Sequence, residues 1–188
     1  MIGELNIYSC YSFQNSTILI KDLCKRAHDL HLEAIALTDI NNMYGAVEFS
    51  NECHKYGIKP IFGMQGNVNV EGEIYPFLLL AKDQVGYHDL MKICSDINLS
   101  DQKAIDLEKL RLYREHLFIL SGCKEGIVER CVLKELESEA LRYMALFKEM
   151  FKDNYYICLQ DHGIQMQKHL NERLKALAKL QGIKVCAS

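Results

Sequence analysis

Asp39 closes an apolar run, residues 34–38, and is followed at once by Ile40, Asn41 and Asn42. In alternating β/α proteins the carboxyl ends of strands are where polar side chains gather into a site, so a carboxylate here stands where chemistry is expected. Its structural use is to accept backbone amides of the turn that follows, with Asn41 and Asn42 beside it. Cys123 ends another run in SGC, and His162 follows a third in QDHG. A thiol and an imidazole at one face are the parts of a nucleophile and its base. Nothing in the spacing brings these two within hydrogen-bond reach. Asp161 beside His162 offers a base and its orienter, although an aspartate in such a turn more commonly caps the next helix.

Eight cysteines (Cys10, Cys24, Cys53, Cys94, Cys123, Cys131, Cys158 and Cys186) invite a zinc or disulfide reading. No two stand as C-x-x-C. Cys24 and Cys53 fall on helix core faces, and Cys158 and Cys186 fall in strands. Buried reduced thiols behave as small hydrophobes, which is the plainer reading. Cations gather on two helix faces: Lys21, Lys25, Arg26, His28 and His31 on one, Lys168, Arg173, Lys175 and Lys179 on the other. Neither interleaves aromatics, so both read as solvated surface rather than a platform for single strands. A net charge of −3 supplies no bulk pull toward nucleic acid or membrane. No apolar run is long enough to span a bilayer, and MIGELNIYS lacks the basic-then-apolar pattern of a signal peptide. The expectation is a cytoplasmic protein with no membrane partner.

These residues need elements to hold them. The 188 residues, 49% of them apolar, suit one domain over 1–188 with a substantial core. Seven runs are largely apolar on consecutive residues: 5–8, 34–38, 60–63, 77–81, 117–120, 155–159 and 183–186. That pattern marks strands buried on both faces of a parallel sheet. Amphipathic stripes lie between them, at Ile20, Leu23, Cys24, Ala27 and Leu30, and at Ala46, Phe49, Cys53 and Tyr56. Two more run through Leu136, Ala140, Met144, Phe147 and Phe151, and through Met166, Leu170, Leu174 and Leu177. Asn42 is placed to cap a helix by accepting the Tyr44 or Gly45 amide, and Gly57 and Gly182 fall just past helix ends. Residues 67–75, with Val68, Val70 and Ile74 flanking Glu71-Gly72, read as a β-hairpin inserted before the fourth strand. Residues 98–104 read as a surface loop. Seven strands joined by helices predict a closed or nearly closed (β/α)7 barrel, with an open doubly wound sheet as the alternative. IKVCAS begins a strand with no helix after it, so the chain is expected to be cut from a longer protein.

Taken in order, LNIYSCYS, IKDLCKRAHDL, ALTDINNMYGAVEF, GIKPIFGMQ, LLLAKDQVGYHDLMKI, LFILSGC and YYICLQDHG span nearly the whole chain. They resemble the PHP (polymerase and histidinol phosphatase) domain at the front of bacterial DNA polymerase III alpha subunits, whose second motif reads approximately LTDHGNMYGAVEF. The resemblance implies a distorted (β/α)7 barrel of the PHP type. Its metal-binding members carry His, Asp, Glu and Cys ligands at the strand carboxyl ends, and the divalent ions there activate water for phosphoester hydrolysis. At the matching positions this chain has other residues. The HxH motif falls on Asn6 and Tyr8, the acidic residue of YSLLDG on Asn15, and the histidine of TDH on Ile40. The glutamate of GCE falls on Gln65 and the histidine of HLxLLA on Pro76. Only the cysteine of LSGC survives, as Cys123, and the NDxH motif would lie past Ser188. Asn41 stands where the family has glycine, and asparagine tolerates the left-handed geometry needed there.

Neutral carbonyls, a phenol, one thiol and an isoleucine do not offset the charge and desolvation of clustered cations. The expectation is therefore no metal in this domain and no catalytic residue. Asn6, Asn15 and Gln65 are expected to be rebuilt into a neutral polar network beside Ile40 and Tyr8. By resemblance the parent protein is a DNA-directed DNA polymerase of replication, with Mg2+ and its nucleotidyl-transfer carboxylates in a palm domain beyond Ser188. The partners implied are the remainder of the alpha chain, DNA reached through other domains, and a proofreading exonuclease. A free-standing metal-dependent phosphoesterase of the histidinol-phosphatase kind and a regulatory module unrelated to polymerase are the alternatives.

Overall fold

The computed structural model describes residues 3–187. Strands β1 (Gly3–Ile7), β2 (Ala34–Leu37) and β3 (Lys59–Val70) are parallel neighbours joined by α1 (Ile20–Asp29) and α2 (Ala46–Tyr56). Side chains of β2 alternate between two apolar layers. Ile35 and Leu37 pack with Ile20, Cys24, Phe49 and Cys53 of the helices, whereas Ala36 packs with Leu78, Leu80, Leu120 and Cys158. Burial on both faces is why the run is apolar at consecutive positions.

The third strand continues well past Gly63. It reaches Val70, turns at Glu71 and Gly72, and returns as β4 (Glu73–Ala81), paired antiparallel from Val70 opposite Glu73 to Gly63 opposite Leu80. Glu71 and Gly72 have φ of 54° and 91°, the pair of positive values that a type I′ turn requires. The hairpin is thus present, but as the outer half of one long strand pair rather than a separate insert. Its tip is pinned to α6 (Glu137–Phe151), where Arg142 grips the Glu71 carboxylate at 2.8 and 3.0 Å.

Beyond β4 the chain runs through α3 (Gln84–Leu99), β5 (Ile105–Asp106), α4 (Leu107–Arg111), β6 (Leu117–Leu120) and α5 (Ile127–Leu133). After α6 come β7 (Tyr155–Leu159), α7 (Gln165–Gln181) and β8 (Lys184–Ala187). The sheet order is β1-β2-β3-β4-β6-β7-β8, with β5 on the outer part of β3. Only the pairs made by β4 are antiparallel, so the other strands share one direction and their carboxyl ends one rim. Among the described residues no pairing joins β1 to β8, and the curl stays open between them. The architecture is a distorted (β/α) barrel with one hairpin.

The larger core lies outside the curl, between the sheet and helices α3 and α5–α7. Phe77 meets Phe147 edge-on at 5.2 Å, both fully buried. Burial of such a side chain contributes roughly 2–3 kcal/mol. Three of the expected stripe residues are exposed rather than packed: Leu30, Leu136 and Met166. Leu30 and Leu136 are the capping residues of α1 and α6, where the periodic face has already turned away. Gln167 is buried in the first turn of α7 instead of Met166. Gly57 and Gly182 close their helices in left-handed geometry, as expected, and residues 100–104 form the turn after α3.

Candidate functional site

Asp39 is buried, and its carboxylate is the hub of the rim. It accepts the Ser9 backbone N–H at 2.8 Å, the Ser9 hydroxyl at 2.7 Å and the Ser12 hydroxyl at 2.5 Å. The donors come from the loop after β1, not from Asp39's own turn as the sequence suggested. An ionised carboxylate is acceptor-only, so three converging donors satisfy it and fix that loop against β2. The Ser12 hydroxyl oxygen also accepts the Ile40 N–H at 3.0 Å.

Asn41 has φ of 53°, the left-handed geometry expected of it. Its side-chain oxygen accepts the Asn67 N–H at 2.9 Å, its own N–H donates to Gln65 O at 2.8 Å, and its carbonyl accepts the Asn98 amide at 2.8 Å. One residue therefore ties the β2 turn to β3 and α3. Asn42 accepts the Tyr44 N–H at 3.2 Å and donates to Tyr11 O and Ile40 O. It holds the turn rather than opening the helix, because α2 starts at Ala46 with Gly45 as its N-cap residue.

Four of the seven former ligand positions converge directly. The Tyr8 hydroxyl donates to Gln65 Oε1 at 2.5 Å, Thr38 donates to Asn6 Oδ1 at 3.1 Å, and the Asn6 amide points at Cys123 Sγ at 3.7 Å. Ile40 forms a parallel backbone bridge with Gln65, which fixes the β2 turn beside the network. Burial, ahead of smaller influences, pushes the Tyr8 phenol up to about 12. Asn15 does not join. It is exposed and donates to Phe13 O at 3.1 Å, because the loop pinned by Ser9 and Ser12 turns residues 13–15 outward. Pro76 pairs opposite Asn67 in β4, and its carbonyl lies against Gly122, where a Cβ would come within 2.0 Å.

Cys123 follows β6 and shares a thiol contact with Cys158, which also meets Cys186. That hydrogen bond and burial push the Cys123 thiol up, the opposite of what a nucleophile needs. His162 is engaged elsewhere: its ring Nδ1 pairs with the Gln167 amide at 2.9 Å, and its N–H donates to Gln167 Oε1 at 2.9 Å. Glu129, in the first turn of α5, was not expected from the sequence. One of its oxygens takes the Ser121 hydroxyl, the other has no hydrogen-bond partner, and burial pushes the carboxyl up to about 8. The Ser121 oxygen in turn accepts the Cys158 N–H at 2.9 Å. Gly126 admits the carboxyl, since a Cβ there would sit 2.2 Å from Glu129 Oε2.

The donor set does not fit the clustered cations of the metal-binding family members. Asn6, Tyr8 and Gln65 are neutral and already hydrogen-bonded, Tyr8 to Gln65 and Asn6 to Thr38 and Cys123, and one raised thiol is no substitute for carboxylates and imidazoles. Among the described residues no group of three or more His, Cys, Asp or Glu is arranged to hold a metal ion.

Both the fold and the sequence are similar to those of known proteins. The fold is shared with an amidohydrolase from Chromobacterium violaceum solved with sulfate and no metal, at a TM-score of 0.56 and 10% identity, covering 100% of this chain and 85% of that one. A candidate metal-dependent phosphoesterase from Bifidobacterium adolescentis gives 0.51 at 11% identity, covering 100% and 86%. In sequence the chain is similar to the DNA polymerase III alpha subunits of Borreliella burgdorferi (32% identical, covering 98% of this chain and 17% of the relative) and Treponema pallidum (34%, 96% and 17%). That of Bacillus subtilis is 32% identical, with 98% and 17% covered. The chain thus spans about one sixth of the length of the curated relatives it matches. The model of the PHP domain matches residues 4–162, and the chain belongs to that family.

Proposed function

We propose that the chain is the N-terminal PHP domain of a replicative DNA polymerase III alpha subunit, in a degenerate, metal-free form whose role is architectural. One observation carries the reading: of the former ligand positions, Tyr8 and Gln65 are spent on a hydrogen bond to each other and Asn6 on contacts with Thr38 and Cys123, at the rim where a metal centre would sit. A pocket consumed by its own side chains holds loops together and leaves no open coordination position for a water nucleophile.

The partner that follows from the reading is the remainder of the alpha chain, with a proofreading exonuclease as a second one. Surface supports a packing role. Phe13, Tyr44 and Val47 stand 83%, 74% and 70% exposed near the Asp39 hub, and a groove of about 760 Å3, lined by Ile61, Phe62, Phe118 and Tyr156, opens into the curl. DNA is reached through other domains, since neither of the two cationic helix faces, on α1 and α7, interleaves aromatics. Mg2+ belongs to the polymerase centre outside this domain, which itself uses no cofactor, and the working compartment is the cytoplasm.

The test has two arms. Purified chain is assayed for 3′–5′ exonuclease, pyrophosphatase and phosphatase turnover with added Mn2+ or Zn2+, and for binding to the rest of an alpha subunit supplied in trans. Binding without turnover is expected. Turnover that scales with protein through several columns would overturn the reading.

A further inference from the structure

Cys24 of α1 and Cys53 of α2 meet face to face in the small core behind β2. Their sulfurs are 3.6 Å apart, and both side chains are wholly buried among Ile20, Ile35, Phe49 and Ile58. Two thiols in van der Waals contact on adjacent helices need only small side-chain rotations to come within bonding distance. The two thiols share a hydrogen bond, which lowers the Cys24 thiol and raises that of Cys53. Cys24 is thus the better attacking group and Cys53 the resolving one. Neither residue belongs to the rim network built on Asn6, Tyr8 and Gln65.

We propose that Cys24 and Cys53 form an oxidisable dithiol, closed into a disulfide by a small-molecule disulfide such as oxidised glutathione. The Cys24 thiolate attacks one sulfur of the oxidant, giving a mixed disulfide and releasing one glutathione thiolate. The Cys53 thiolate then attacks the Cys24 sulfur and releases the second. Two electrons pass to glutathione, the two cysteine protons end on its two thiols, and the protein loses two hydrogens. The reaction requires α1 to open far enough to admit the oxidant; its first turn has no side-chain cap, and its capping residue, Leu19, is exposed.

The consequence is mechanical. The bond would staple α1 to α2 and enclose residues 25–52, the stretch that contains β2 and Asp39. Closing a loop of that size raises the melting midpoint, by roughly 5–10 °C for a domain of this length.

The chain is equilibrated in glutathione redox buffers from fully reduced to fully oxidised, quenched with acid and alkylated, then digested without reductant. The expected product is a cross-linked peptide pair containing Cys24 and Cys53, with the melting midpoint raised by that amount and restored by dithiothreitol. Cys24→Ala and Cys53→Ala are both made, because either apolar replacement suits the core, and each should fold and lose the redox-dependent shift. A Cys24–Cys53 peptide pair that stays reduced across the whole series would overturn the proposal. So would a midpoint shift that persists in both alanine variants.

Discussion

At the scale of single residues, the carboxylates Asp39 and Glu129 use burial in opposite ways. Asp39 is satisfied by three donors, and Asp39→Ala removes the acceptor for all of them. Leaving buried donors unpaired predicts a loss of about 3 kcal/mol in denaturant melts; an unchanged midpoint would mean that the loop is held some other way. Glu129 has one oxygen without a partner, and its carboxyl stands at about 8 against an ordinary 4.5. The folded state therefore holds this proton more tightly than the unfolded chain does. The contribution of this group to stability is fully present below about pH 4.5 and is lost as pH rises toward 8, by an amount on the order of 3–5 kcal/mol. Glu129→Gln should flatten that part of the profile, and parallel profiles for the two proteins would contradict the assignment. Former ligand positions divide in the same way. Asn15→Asp, on an exposed loop, should shift stability by less than about 0.5 kcal/mol. Gln65→Glu places an unpaired charge in the network, so its cost should grow between pH 5 and pH 8 as the new carboxyl ionises. Asn6, Tyr8, Gln65 and Ile40 were legible as a neutral cluster through the family resemblance, since each falls on a ligand position of the family's motifs. Asn15 was not, because its side chain follows a loop whose path is set by Ser9 and Ser12, two residues with no distinctive pattern.

At the scale of elements, consecutive apolar residues revealed the strands and the turn chemistry revealed Asn41, Gly57 and Gly182. Strand direction was less visible. A run such as 77–81 reads the same whichever way it points, so the antiparallel β4 and its continuity with the hairpin emerged only from the pairing. Helix α3 buries Leu90, Ile93 and Ile97 at helical spacing, a stripe diluted in the sequence by the exposed Val85 and Met91, and its Asn98 serves as a hydrogen-bond partner for Asn41. Asn41 joins three elements, which gives it a measurable weight. Asn41→Ala keeps the left-handed φ strain and loses the acceptor for Asn67, so a loss of roughly 2 kcal/mol is expected. Asn41→Gly loses the acceptor but relieves the strain and should cost less. Equal losses would show that backbone geometry is not what the position demands.

At the scale of the whole molecule, the PHP scaffold is kept while the residues at its usual ligand positions are neutral, which is the ground for the proposed architectural role. The strands still deliver Asn6, Thr38, Asp39, Gln65 and Cys123 to one region, yet what they deliver is a set of hydrogen bonds that brace loops instead of coordinating cations. The family was legible from the order and spacing of motifs, because packing in a curled β/α sheet constrains residues such as those of GIKPIFG and LSGC whether or not a metal is bound. Elemental analysis of the chain, purified without chelator and then dialysed against Zn2+, Mn2+ or Fe2+, tests the central claim most directly. Less than one ion of any of these metals per chain is predicted, and a stoichiometric multinuclear complement would contradict the account.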